Sequence, residues 1–63
     1  MKFFLNDRNA IARALMVGYL VWCEETGEGW QANPGCTWRS ARHTAAVIMH
    51  YCDGKTFVTF GDR

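Results

Sequence analysis

The sequence predicts a small α+β domain in which two helices lie on one face of a mainly antiparallel sheet. Two segments place apolar residues at the 3.6-residue period of an amphipathic helix. The segments between and after them are rich in β-branched and aromatic residues, which favour strands. A chain of 63 residues is too short to build two separate cores, so residues 1–63 are expected to form a single domain.

The first predicted helix covers residues 7–17. Asn6 or Asp7 can cap its N-terminus, because short polar side chains accept a hydrogen bond from the free N–H groups of the first turn. Apolar residues at the helical period form its inner side: Ile11, Ala14 and Leu15. Gly18 follows them and is a typical residue at which a helix stops.

A β-hairpin is predicted over residues 19–33. Residues 19–25 have the composition of a strand, the turn residues Thr-Gly-Glu-Gly follow at 26–29, and residues 30–33 form the second strand. Trp22 and Trp30, one in each strand, are expected to belong to the core of so small a domain.

The second predicted helix covers residues 40–53 and follows a turn at residues 33–35. Ser40 is its predicted N-cap, and Gly54 lies past its C-terminus. The side that we expect to pack in the core contains five residues at helical spacing: Thr44, Val47, Ile48, Tyr51 and Cys52. Residues 55–60 then alternate in character as a final strand does.

The predicted element order is α-β-β-α-β, or β-α-β-β-α-β if residues 2–5 pair as a first strand in a split βαβ arrangement. In both versions the helices cover one face of the sheet and leave the opposite face at least partly open. An open face with aromatic residues is a candidate binding surface, and a homodimer in which a second copy covers it is one alternative.

Composition indicates a cytoplasmic protein without a membrane segment. The apolar residues at 14–23 number about half of those needed to cross a bilayer. The three cysteines, Cys23, Cys36 and Cys52, are an odd number, which fits reduced thiols buried as small hydrophobic side chains. The net charge of +1 gives no global attraction to nucleic acid or anionic lipid, so a charged partner must be bound by a local patch.

The sequence contains no recognisable catalytic, metal or cofactor motif. Cysteines and histidines have the wrong spacing for zinc, since His43 and His50 stand seven residues apart, or roughly 10 Å along a helix. Cys36 and His43 could be neighbours, but no orienting acid or oxyanion hole accompanies them. No glycine-rich phosphate loop is present. We therefore expect a non-enzymatic protein that has no cofactor and no metal.

A cluster of aromatic and basic residues at the start of the second helix is the predicted partner-binding site. Its members are Trp38, Arg39, Arg42 and His43. Ala46 and His50 share their side of the helix, away from the apolar side. Trp and Arg dominate binding energies at protein interfaces, because they bring large contact area and bidentate hydrogen bonds. The alternative is an ordinary solvated helix face.

Three glutamates surround the predicted hairpin turn: Glu24, Glu25 and Glu28. We expect them to form a solvated loop tip that protects the edge of the sheet and stays free of the partner.

Residues 53–60 resemble part of the RNA-contacting octamer of RNA-recognition-motif domains. The matching positions are Gly54, Phe57, Val58 and Phe60. Asp53 stands where that family has a basic residue, and Lys55 where it has an aromatic one. An ordinary alternating strand produces the same pattern. The alternative function is therefore a nucleic-acid-binding module that uses Arg39, Arg42, Lys55 and exposed aromatic residues.

Taken whole, the chain resembles the small single-domain accessory proteins of bacteriophages and mobile elements, among them anti-CRISPR proteins and inhibitors of host enzymes. The resemblance lies in the length and in a hairpin at 19–33 followed by a helix at 40–53 and a strand at 55–60. It implies a protein that inhibits or modulates a host protein or defence complex. Imitation of DNA by dense negative charge does not fit a net charge of +1, whereas blocking a protein surface by contact does.

Overall fold

The structure, a computed structural model, describes residues 2–23, 25–53 and 56–59. Its elements follow in the order β1 (Lys2–Leu5), α1 (Arg8–Met16), β2 (Leu20–Trp22), β3 (Gly29–Trp30), α2 (Trp38–Cys52) and β4 (Thr56–Thr59). The predicted α+β class is confirmed, and of the two predicted orders the one that begins with a strand is observed. Predictions that fall on Glu24, Gly54, Lys55 and Phe60 lie outside the described residues.

The four strands form one antiparallel sheet in the order β1-β4-β2-β3. Because β1 and β2 both pair antiparallel with β4, they run in the same direction with β4 between them, which is a split βαβ unit. The central register places Val58 of β4 opposite both Phe3 of β1 and Val21 of β2. Val21 is fully buried, so the side of β2 that carries it faces the core.

Helix α1 begins and ends as its sequence predicts. The side chain of Asp7 accepts a hydrogen bond of 3.2 Å from the backbone N–H of Ala10, which makes Asp7 the N-cap. At the other end Gly18 has a φ of 90°, a left-handed conformation that glycine adopts without steric cost. The N–H groups of Gly18 and Tyr19 donate to the carbonyls of Leu15 and Ala14, which is the Schellman arrangement.

Helix α2 begins two residues earlier than the prediction. Thr37, not Ser40, is its N-cap: the Thr37 backbone is extended, and its hydroxyl oxygen accepts a 3.1 Å hydrogen bond from the Ser40 N–H. Ser40 is thus the donor at the third helical position. The helix ends at Cys52, and Asp53 follows in the left-handed conformation with φ 49° and ψ 47°.

The core side of α2 is also rotated from the predicted one. Four residues form the buried side of the helix: Ala41, Ala45, Ile48 and Cys52. Ile48 and Cys52 were predicted to be there, but Val47 is 37% exposed and Tyr51 is 57% exposed. The reason is the contact with α1, since alanines at 41 and 45 let the two helices approach closely while larger side chains remain at the flank.

Both strands of the hairpin are shorter than predicted. Strand β2 ends at Trp22 because a turn begins at Cys23, whose carbonyl accepts from the Gly27 N–H at 2.8 Å. Strand β3 ends at Trp30, since the next side chain, Gln31, donates a 2.8 Å hydrogen bond to the Gly18 carbonyl and directs the chain toward the end of α1. Residues 31–37 therefore form a loop.

Both hairpin tryptophans are half-buried. Trp30 packs against the core, and its ring centroid lies 5.9 Å from that of Tyr51 in α2. Trp22 neighbours Val21 along β2 and so lies on the other face of the sheet, where it lines a shallow depression of about 280 Å³ with Leu20 and two glycines.

Candidate functional site

A basic surface groove of about 380 Å³ contains all four residues of the predicted binding cluster. Six described residues line it: Arg8, Trp38, Arg39, Arg42, His43 and Ala46. The structure therefore brings Trp38, Arg39, Arg42 and His43 to one surface, and it adds Arg8 from the other helix. We call this surface the basic groove.

Helix α2 supplies five of the six lining residues because of its period. Trp38, Arg42 and Ala46 follow one another at intervals of four, and Arg39 and His43 lie beside them at the same interval. The opposite side of the helix, centred on Ala41, Ala45 and Ile48, is fixed in the core. Burial of that side holds the groove-lining side in place on a rigid element.

The lining combines one large aromatic surface with cationic groups. Trp38 is 41% exposed even though a tryptophan side chain normally finds cover in so small a protein. Ala46, which is half-buried, contributes a small side chain to the lining. Three guanidinium groups and one imidazole thus border a space that an elongated side chain can enter.

The Nε group of Arg42 has no hydrogen-bond partner among the described residues. The residue is half-buried, and its Nε atom is out of contact with solvent and donates no hydrogen bond to any group that the structure describes. A buried donor left without an acceptor costs about 1–3 kcal/mol. An acceptor brought by a ligand would remove that cost if the Arg42 side chain turned its Nε toward the groove, and a carboxylate is the acceptor that fits a guanidinium best.

None of the six described lining residues is acidic. The acidic residues of the hairpin turn lie elsewhere: Glu25 and Glu28 are exposed at the tip that follows β2. Glu28 donates its backbone N–H to the Thr26 hydroxyl at 3.2 Å, which orders the tip locally. Positive charge in the groove is therefore not neutralised by its own described walls, and the groove favours an anionic ligand.

The shifted start of α2 changes one argument from the sequence. With Ser40 as the predicted cap, Arg39 and Arg42 are expected on or just before the first turn of the helix, where a cation opposes the helix dipole. With Thr37 as the N-cap, Arg39 is the second helical residue but Arg42 is the fifth, in the second turn. Only Arg39 stands where the dipole disfavours it.

Sequence reasoning missed Arg8. It is the first residue of α1, directly after the Asp7 cap, and so it also stands at a helix N-terminus where a cation is unfavourable. Arg8 is therefore unfavourable for its own helix, as Arg39 is, and this property can be read from the sequence. What the sequence does not reveal is that the two helices pack so as to bring Arg8 beside Arg42.

Cys36 and His43, the candidate catalytic pair, line different depressions of the surface. The Cys36 thiol lies 3.6 Å from the Met16 sulfur at the end of α1. Within the described part of the chain, no group of three or more His, Cys, Asp or Glu residues is placed to hold a metal ion. His43 lines the basic groove, whereas His50 is exposed outside it.

Two larger depressions, of about 600 and 580 Å³, flank the loop at residues 31–37. They share the segment Gln31, Ala32, Asn33 and Pro34 as a common wall. No charged side chain lines either of them in the part of the chain that the structure describes. They offer shape without the charged groups that would bind an ionic ligand.

No protein-family model, curated protein or solved structure matches this chain significantly. Among the helices described, neither is long and apolar enough to cross a bilayer. The function must therefore be argued from the groove itself.

Proposed function

We propose that this protein is a non-enzymatic module that binds a protein partner by inserting an acidic segment of that partner into the basic groove. The observation that supports this most directly is the buried Nε of Arg42, which has no described acceptor and borders a groove with two further arginines. A carboxylate from a partner would accept from Arg42 and neutralise the surrounding charge.

The residue types of the groove favour a protein over a nucleic acid. Trp38 lies at one end and can cover an apolar side chain, while Arg39 and Arg42 can each form a bidentate pair with a carboxylate. A nucleic-acid strand is usually bound along an extended positive track, and the described cations of α2 are confined to this one groove and the exposed His50.

Inhibition or modulation of a host protein in the cytoplasm is the biological role that we propose for such a module. It rests on the resemblance in length and element order to accessory proteins of bacteriophages and mobile elements. A small rigid domain that offers one charged groove can block a partner surface without any chemistry of its own.

Affinity capture from bacterial lysate, with and without nuclease, tests the proposal. The bait proteins are the wild type, Arg39→Glu and the matched control Arg13→Glu, which makes the same charge change on an exposed position of α1 outside the groove. We expect a protein that the wild type and Arg13→Glu retain after nuclease treatment and that Arg39→Glu releases.

Two results would contradict the proposal. If the captured material disappears with nuclease, the partner is a nucleic acid and the alternative function applies. If Arg39→Glu and Arg13→Glu capture the same proteins in the same amounts, the groove is not the binding surface.

A further inference from the structure

Two buried cysteines meet at the junction between the hairpin and α2. Cys23 directly follows β2 and is 0% exposed, and Cys52 is the last residue of α2 and is 1% exposed. They belong to one core cluster, and the Cys52 thiol donates a hydrogen bond to the Cys23 sulfur. The third cysteine, Cys36, lies apart with its thiol against Met16.

The turn after Cys23 surrounds its sulfur with donors. The backbone N–H groups of Glu25 and Thr26 and the Thr26 hydroxyl all donate toward it, in addition to the Cys52 thiol. Burial is the largest single influence and raises the pKa of the Cys23 thiol, but these hydrogen bonds together outweigh it and hold the pKa below its ordinary value of 9.0. Thiolate is the form of cysteine that reacts with oxidants.

We propose that Cys23 and Cys52 are an oxidative modification site at which a hydroperoxide converts the two thiols into a disulfide. The pair needs no rearrangement of the fold to come into contact, since the two sulfur atoms already share a hydrogen bond. Their position lets the product join the end of β2 covalently to the end of α2.

The chemistry proceeds in two balanced steps. The Cys23 thiolate attacks one peroxide oxygen, the O–O bond breaks, and Cys23 sulfenic acid and hydroxide form. The Cys52 sulfur then attacks the Cys23 sulfur, an S–S bond forms, and the hydroxyl leaves as water with the Cys52 proton. Hydroxide takes up the proton that Cys23 lost on ionisation. Hydrogen peroxide is thus reduced to two molecules of water, and two thiols are oxidised.

Access to Cys23 is through the hairpin turn. Residues 25–28 are all exposed, and two backbone hydrogen bonds close the turn over Cys23: Gly27 N–H to the Cys23 carbonyl at 2.8 Å, and Cys23 N–H to the Glu28 carbonyl at 2.9 Å. Short exposed turns open at low free energy, and a small hydroperoxide can then reach the sulfur.

The test is oxidation of the folded wild-type protein with hydrogen peroxide after removal of reductant, followed by intact mass and peptide mapping without reduction. Cleavage after Glu24, Glu25 and Glu28 separates Cys23 from Cys36, and cleavage after Arg42 separates Cys36 from Cys52. We expect the loss of two hydrogen atoms, a Cys23–Cys52 link, and full reversal by dithiothreitol.

Two variants, and oxidation of the denatured wild type, show whether the folded structure selects the Cys23–Cys52 pair. Cys36→Ser should form the same link, whereas Cys52→Ala should stop at a sulfenic acid on Cys23 that dimedone traps. Wild type oxidised in guanidinium should give mixed pairings, because the fold no longer selects the pair.

The inference is overturned if the folded wild type links Cys36 to either other cysteine, or if Cys23 and Cys52 stay reduced while the denatured chain oxidises. Mapping of the wild type decides the question even if Cys52→Ala does not fold.

Discussion

Arg8 and Arg39 each occupy one of the first two residues of a helix, where the positive end of the helix dipole disfavours a cation by a few tenths of a kcal/mol. Helix α2 has no acidic residue in its first turn to offset this, whereas at α1 the carboxylate of the N-cap Asp7 offsets part of it. Arg13, by contrast, lies in the last turn of α1, where a cation is favourable. Arginines that weaken their own helices and meet at one groove are better explained by binding than by folding.

Ile48 is the residue on which we expect stability to depend most within α2, because it is 0% exposed and is the largest apolar side chain on the buried side of that helix. Ile48→Ala should lower the free energy of unfolding by about 2–5 kcal/mol through lost burial and the cavity left behind. For a domain of this size that loss can be enough to unfold it.

Val47→Ala is the matched control for Ile48→Ala, since Val47 is the preceding residue and is 37% exposed. It should cost about 1 kcal/mol or less. Urea unfolding of both variants gives the comparison. Equal losses at the two positions would mean that the buried side of α2 is not the one described.

At the scale of the element, the residue at which α2 begins determines which residues of the basic groove are helical. Thr37 and Ser40 are both good capping residues, so local sequence alone does not distinguish them. The extended Thr37 backbone and its hydrogen bond to the Ser40 N–H identify the cap. With the cap at Thr37, Trp38 and Arg39 are helical and their side chains are held beside Arg42.

Alanine substitution of each residue tests this cap. Thr37→Ala should lower the free energy of unfolding by about 1 kcal/mol, because the Ser40 N–H loses its acceptor. Ser40→Ala keeps that backbone N–H and should change stability by less than about 0.5 kcal/mol. Thermal unfolding followed by circular dichroism measures both. A larger loss for Ser40→Ala than for Thr37→Ala would restore Ser40 as the cap.

Helix α2 also shows how far the helical spacing of apolar residues predicts which side of a helix is buried. The sequence of α2 contains two overlapping series at helical spacing: Ala41, Ala45, Ile48 and Cys52 in one, and the predicted core side Thr44, Val47, Ile48, Tyr51 and Cys52 in the other. Larger apolar side chains made the second series the expected core. The packing of α1 against α2 selects the first, since small residues permit the closer contact. The existence of α2 was predictable because helix formation depends mainly on the local sequence. Which of its sides is buried was not predictable, because that depends on the packing of α1 against it.

At the scale of the whole molecule, the class followed from the sequence and the element order was narrowed to two alternatives, but the sheet order was not predicted. Residues 2–5 form a strand only because β4, more than fifty positions later, pairs with them in a register of Lys2 with Thr59 and Leu5 with Thr56. No local signal reports such a pairing. The basic groove was likewise predictable only in part. Four of its residues share α2 and were predicted together: Trp38, Arg39, Arg42 and His43. Arg8 joins them only through tertiary packing.

In the described part of the chain, the hairpin tip and the basic groove carry charges of opposite sign. Exposed glutamates lie at the hairpin tip, and arginines line the groove between the helices, although the net charge is only +1. Local charge of this kind orients a partner during approach and makes binding sensitive to salt. A partner with an acidic segment is attracted to the groove side and repelled from the tip.

The affinity of the captured partner for charge-reversed protein tests the central claim most directly. Isothermal titration compares the wild type with Arg39→Glu plus Arg42→Glu and with the control Arg13→Glu, each first shown to be folded by circular dichroism. We predict that the double reversal weakens binding by at least about tenfold, or roughly 1.4 kcal/mol, while Arg13→Glu stays within about twofold of the wild type. Equal affinity of the folded double variant and the wild type would contradict the account.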